Sequence, residues 1–161
     1  MTLPIPKEKF SQFLVAAKIA TYAAEDEATR VKPVLKGSHQ LEFRQGALLY
    51  RDIYYGGNYF VGQETVYFNQ NPIWAMSYAG GINEGVTIAE EISGIYSFLQ
   101  AALRAVPMEA PYRGPESFKE GAFTYSNRIL GKVGRFSGVE MIYYQENPIY
   151  QLHYSGGAIK E

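Results

Sequence analysis

Residues 7–24 place Phe10, Phe13, Leu14, Ala17 and Ala20 or Thr21 at spacings of three and four, with Glu8, Lys9, Gln12 and Lys18 among them. That period predicts an amphipathic helix starting after Pro6, with the charged residues spread over its outer face. The charged run over 25–30 reads as a connection, and Pro33 and Gly37 keep residues 31–39 irregular. From Gln40 the apolar period becomes two. Strands are predicted near 40–45, 47–55, 59–68 and 73–79, with turns at Gln45-Gly46, Gly56-Gly57-Asn58 and the four residues 69–72. Gly80-Gly81 reads as the end of this sheet segment. Helical spacing returns over 86–105, from Val86 through Ile92, Leu99 and Leu103, and Pro107 stops it. Gly94 inside that helix suggests close packing at its position. A Pro-rich loop over 107–117 leads to strands near 117–120, 122–129, 135–144 and 149–155.

The second set of strands repeats the first. Phe60 to Gly81 and Phe136 to Gly157 align over 22 positions without a gap, and ten are identical, among them Gly62/Gly138, Glu64/Glu140 and Tyr78/Tyr154. Phe43/Phe118, Gly46/Gly121 and Tyr50/Tyr125 extend the match at an offset of 75 instead of 76. Each half therefore reads as an α-β-β-β-β unit, over 7–82 and 85–159. A unit of that size cannot cover its own apolar face, so the halves are expected to share one core. The predicted fold is α+β: a single domain over 1–161, with one bent antiparallel sheet and two helices packed on one face.

Composition changes this picture in one respect. Hydrophobic content of 47% and charged content of 19% are ordinary, but 14 Tyr, 9 Phe and one Trp concentrate in the strand-like stretches. They suit either an aromatic-faced sheet or a tyrosine-lined ligand pocket. A formal charge of −1 gives no footprint for direct nucleic-acid binding. The absence of cysteine excludes disulfides, thiol catalysis and thiolate metal sites. His39 and His153 lie in no metal-ligand spacing, so no metal site is expected. Nothing in the glycine pairs matches a phosphate loop, no nucleophile elbow is present, and no cofactor is expected. With no apolar run of membrane length and no signal-peptide pattern at the start, a cytoplasmic location is the default expectation.

Alternation places Phe60, Glu64, Val66 and Phe68 on one face of the longest strand, copied as Phe136, Glu140, Ile142 and Tyr144. Trp74, Met76 and Tyr78 share that face on the next strand. A carboxylate within an apolar face must be paired, hydrogen-bonded or protonated. Glu64 and Glu140 are thus either repeated scaffold or a converging pair for ligand or acid/base work. Asp52 shares a face with Leu48, Tyr50 and Tyr54, and its copy is Asn127. That difference fits a site kept in one half, or simple divergence. The candidate ligand-binding set is Tyr50, Asp52, Tyr54, Glu64, Trp74, Tyr78 and Glu140. No catalytic residue is singled out.

The strings YRDIYYG, YFVGQETVYF and NPIWAMSYAGG, with the later YRGP, FSGVEMIYY and YSGG, resemble a bacterial family defined only as a domain of unknown function. The resemblance spans nearly the whole chain. Members of that family stand alone or follow an XRE-type helix-turn-helix segment, which this N-terminus lacks. The resemblance implies no activity; the association implies effector sensing or protein interaction. The first expectation is a non-enzymatic sensor or accessory domain taking a small molecule into an aromatic pocket between sheet and helices. The alternative is an interaction module, as a homodimer or docked on a transcriptional regulator, and an acid/base enzyme comes third.

Overall fold

In the computed structural model, which describes residues 3–23, 27–86 and 89–160, the change of period at residue 40 separates a helical segment from a strand-forming one. Helix α1 (Lys7–Lys18) follows Pro6, whose carbonyl accepts the Phe10 amide at 3.0 Å. It buries Phe10, Phe13, Leu14 and Ala17, as the spacing predicts. It also buries Lys18, which the sequence placed on the outer face. The α-helix then widens into a π-helical turn, Ile19–Ala23, so the expected helix over 7–24 changes character at residue 19, and its last residue lies outside the described ones. A short 3₁₀ turn, Glu27–Thr29, stands where only a charged connection was expected.

Four strands follow: β1 (His39–Gln45), β2 (Leu48–Gly56), β3 (Tyr59–Phe68) and β4 (Asn71–Ile82). Helix α2 (Ala89–Arg104) is described from residue 89, later than the predicted 86; Val86 precedes it and 87–88 lie outside the described residues. Then come β5 (Ser117–Glu120), β6 (Phe123–Lys132), β7 (Arg135–Tyr144) and β8 (Asn147–Ala158). All eight strands form one antiparallel sheet, in the order β1-β2-β3-β4-β8-β7-β6-β5. With two helices beside it, the fold is α+β.

The halves meet along β4 and β8. Tyr78 pairs with Tyr154, and the register is symmetric about that pair, with Trp74 opposite Ala158 and Ile82 opposite Tyr150. This pairing corrects the reading of Gly80-Gly81 as the end of the sheet. Gly80 and Gly81 stay in β4 opposite Leu152 and Gln151, and Gly156 in β8 faces Met76. A Cβ on Gly80 would fall on the Gln151 carbonyl oxygen, and one on Gly156 on that of Ala75. Glycine is required here by the close approach of the two central strands.

The four-residue turn expected at 69–72 is a two-residue one. Asn69 and Gln70 have φ of 48° and 69°, and Gln145 and Glu146 repeat this at 48° and 76°. Both central residues in the left-handed region make the hairpin turn whose twist matches the strands. Pro72 enters β4 opposite Tyr67, and a bulge at Ile73 restores Trp74 to the partner of Val66. A bulge is where a strand tolerates a proline without an N–H.

Both helices cover the same sheet face. Trp74, fully buried, lies 5.8 Å from the Phe10 ring and stacks 5.7 Å from Phe136, while its indole N–H donates to the Val133 carbonyl at 3.0 Å. From α2, Phe98 stacks 5.1 Å from Phe123. The close packing expected at Gly94 is not found, since a Cβ there would meet only the Phe123 ring at 4.0 Å.

Candidate functional site

Beneath the helices the sheet face carries five buried charges among the described residues: Lys18, Asp52, Glu64, Arg113 and Glu140. The strand register fixes their positions. Asp52 of β2 lies opposite Glu64 of β3, and Asn127 of β6 opposite Glu140 of β7. Tyr78 and Tyr154 lie beneath Gly62 and Gly138, where a Cβ would collide with the tyrosine rings. Their hydroxyls reach past these glycines to donate to Asp52 Oδ1 and Asn127 Oδ1, each at 2.7 Å.

The two halves then diverge. Glu140 is saturated: Arg113 donates from Nε at 3.1 Å and from Nη2 at 2.6 Å, Tyr125 at 2.6 Å and Tyr150 at 2.9 Å. Gly114 beside Arg113 closes the arrangement, its amide donating to the Tyr125 hydroxyl at 3.0 Å and its carbonyl accepting from Asn127 Nδ2 at 2.9 Å. Burial works against the Arg113 charge, but Glu140 and Tyr150 hold its pKa well above the usual value. The Pro-rich loop thus supplies both the cation and the backbone groups that this half needs.

In the first half Lys18 Nζ grips both oxygens of Glu64, at 2.8 and 2.6 Å. The equivalents of the other groups are left over. Tyr50 Oη and Asp52 Oδ2 are buried without a hydrogen-bond partner among the described residues, whereas Tyr125 and Asn127 are satisfied. Two cations face three carboxylates, so full ionisation leaves a surplus negative charge in the buried interior. Burial, followed by the charge of Glu64, pushes Asp52 up to about 7. Burial lowers the Lys18 pKa against the pull of Glu64, and raises the Tyr50 and Tyr78 hydroxyls well above their ordinary value.

Lys18, Glu64 and Arg113 border one small cavity with Tyr22 and Tyr112, of about 10 Å³. That is room for a single water. Glu64 and Glu140 therefore approach through their cations, each neutralised by its own. Tyr22, on the π-helical turn, also lines a larger pocket of about 380 Å³ between the sheet and α2. Its aromatic walls are Tyr22, His39, Tyr54, Phe60 and Tyr96, with His39 and Tyr54 stacked at 4.9 Å. Arg113 lies over the Tyr22 ring, 5.2 Å from its centroid.

Of the candidates from the sequence, Tyr50, Asp52, Glu64 and Tyr78 gather in one buried cluster, and Glu140 occupies its counterpart in the second half. Tyr54 lines the pocket. Trp74 sits apart, in the aromatic core. Sequence reasoning missed Lys18, Arg113, Tyr22 and Tyr96. Lys18 was legible, since it follows Leu14 by four residues and so belongs to the buried stripe. Arg113 stands in an irregular loop, where no periodicity could point inward.

No helix among the described residues is long and apolar enough to cross a membrane. No curated protein and no solved structure matches the chain. Residues 52–159 match the model of a domain of unknown function, DUF5680, a span that opens on Asp52 and takes in Glu64, Tyr78, Arg113 and Glu140. With two thirds of its length in that match, the chain belongs to the DUF5680 family.

Proposed function

We propose that this domain is a non-enzymatic small-molecule sensor or accessory module whose ligand enters the pocket between the sheet and α2. One observation carries the reading. A cavity of about 380 Å³, within the range of small-molecule sites, has aromatic walls that include Tyr22, whose hydroxyl feels the charge of Asp52, and two buried polar atoms, Tyr50 Oη and Asp52 Oδ2, lack partners among the described residues. A flat ligand would stack against the His39–Tyr54 pair. A donor group on it, neutral or cationic, would satisfy Asp52 Oδ2 or Tyr50 Oη once Tyr22 turned aside. The π-helical geometry of Ile19–Ala23 supports that movement, because such turns hold their backbone hydrogen bonds less regularly than an α-helix and recur at functional sites. Glu64, Glu140 and Trp74 then serve as scaffold, and Tyr50, Asp52, Tyr54 and Tyr78 as the ligand-facing group.

The test is a thermal-shift screen against a broad metabolite set, repeated on Tyr54→Ala and Asp52→Asn, each compared with its own ligand-free melting. A ligand at 100 times its dissociation constant adds about 2.7 kcal/mol. A hit that weakens in both variants, with their folds intact, supports the pocket. A hit unaffected by either refutes this placement.

The second reading is an interaction module, as a homodimer or on a partner regulator. It is favoured by an exposed apolar group at the sheet surface, with Leu35 49%, Tyr55 44% and Val61 50% accessible and lining one shallow depression. Sedimentation decides it: a mass above 18.1 kDa supports it and a monomer at all concentrations refutes self-association.

A further inference from the structure

The face of the sheet turned away from the helices carries a trough of about 1200 Å³ across β3, β4, β8, β7 and β6. Its shape follows from residue size. Along the middle, the register aligns Ser137, Ser155, Ser77 and Gln63 on four neighbouring strands. Val61, Ala79 and Val139, in the adjoining row, keep the floor low and apolar. Taller residues, Leu130, Met141 and Tyr143 among them, stand along the sides.

The charge is one-sided: among the described residues Arg128 lines the trough together with the imidazole of His153, whose Nε2 lies 2.7 Å from Gln151 Nε2, and no carboxylate does. Arg128 and His153 lie in one row of the register with Val139 between them, about 10 Å apart at the backbone for two strand spacings. Arg128 takes no part in the ion pairs among the described residues, which use Lys18, Arg44, Arg51 and Arg113. The adjoining row of three hydroxyls and an amide runs for about 14 Å and offers donors and acceptors at each strand spacing.

We infer that this trough is a second binding site, for a sugar bearing an acid group. The phosphate or carboxylate would sit between Arg128 and His153, paired with the Arg128 guanidinium and accepting a hydrogen bond from the His153 ring. The sugar hydroxyls would exchange hydrogen bonds with Ser137, Ser155, Ser77 and Gln63, and an apolar sugar face would rest on Val61 and Ala79. The site is independent of the pocket beside α2, which lies across the sheet.

The test is an amide-shift titration of the full chain by nuclear magnetic resonance. The probes are glucose 6-phosphate and glucuronate, with glucose and inorganic phosphate as controls. The expected result is saturable movement of the Ser77, Val139 and Ser155 amides with one or both acid sugars. Glucose and phosphate alone should bind about tenfold more weakly or worse. Arg128→Gln, an exposed substitution that leaves the core untouched, should lose about tenfold in affinity with unchanged melting. A phosphate-only or carboxylate-only response among the sugars identifies the acid group. The inference is overturned if neither acid sugar moves these amides, if glucose or phosphate binds equally well, if Arg128→Gln binds as before, or if the shifts map to the α2 pocket.

Discussion

Asp52→Asn tests the account of the buried cluster most directly. Asp52 is fully buried, accepts one hydrogen bond from Tyr78 and leaves Oδ2 without a partner among the described residues. In the unfolded chain its carboxyl loses a proton near the ordinary value of 3.8, while in the fold it keeps the proton until about 7. Between these values the unfolded state binds fewer protons than the native state, so stability falls as pH rises. The loss is absent at low pH and complete above about 7. Roughly three pKa units at about 1.4 kcal/mol each set its full size at about 4 kcal/mol. About 2–3 kcal/mol of that falls between pH 5 and 8, since part has already been lost by pH 5. Asparagine keeps an acceptor for Tyr78, cannot ionise, and is what the second half carries at Asn127. Urea denaturation of both proteins at pH 5 and pH 8 should therefore show the variant gaining about 2–3 kcal/mol on the wild type, or roughly 5–10 °C in melting temperature. Parallel stability curves for the two proteins, or a variant that loses ground at pH 8, would refute the surplus-charge argument.

The remaining predictions follow from the same packing. Glu140→Gln should destabilise more than Glu64→Gln, by about 3–5 kcal/mol in urea, because Arg113 cannot shed its proton when its partner goes whereas buried Lys18 can. Asn127→Asp should introduce into the second half the pH-dependent loss that Asp52 causes in the first, with the Gly114 carbonyl now facing a carboxylate, and denaturation at the same two pH values reads it. Gly156→Ala should cost more than about 3 kcal/mol or prevent folding, as its Cβ would occupy the Ala75 carbonyl position; circular dichroism on heating checks this. Gly94→Ala should instead raise stability by about 0.5–1 kcal/mol, because the helix gains and nothing crowds the new methyl group.

The sequence by itself determined what periodicity and repetition can carry. Two helices, eight strands, the inward face of Glu64 and Glu140, and the carboxylate–amide difference at Asp52 and Asn127 all follow from local alternation. Side-chain direction within an element depends only on its period, so these survive without knowledge of the partners. Tertiary structure decided whatever depends on segments distant in the chain. Gly80 and Gly81 look like a strand end until β8 lies against them. Lys18 looks solvated until Glu64, 46 residues later, supplies an opposite charge in the interior. Arg113 sits among prolines and glycines in a loop with no period to read, yet it neutralises Glu140. The same loop satisfies the second half and has no counterpart over Tyr50 and Asp52 among the described residues. Which of two similarly patterned halves keeps unsatisfied groups is therefore a property of how the connections fold back on the sheet, and no local pattern in the chain encodes that.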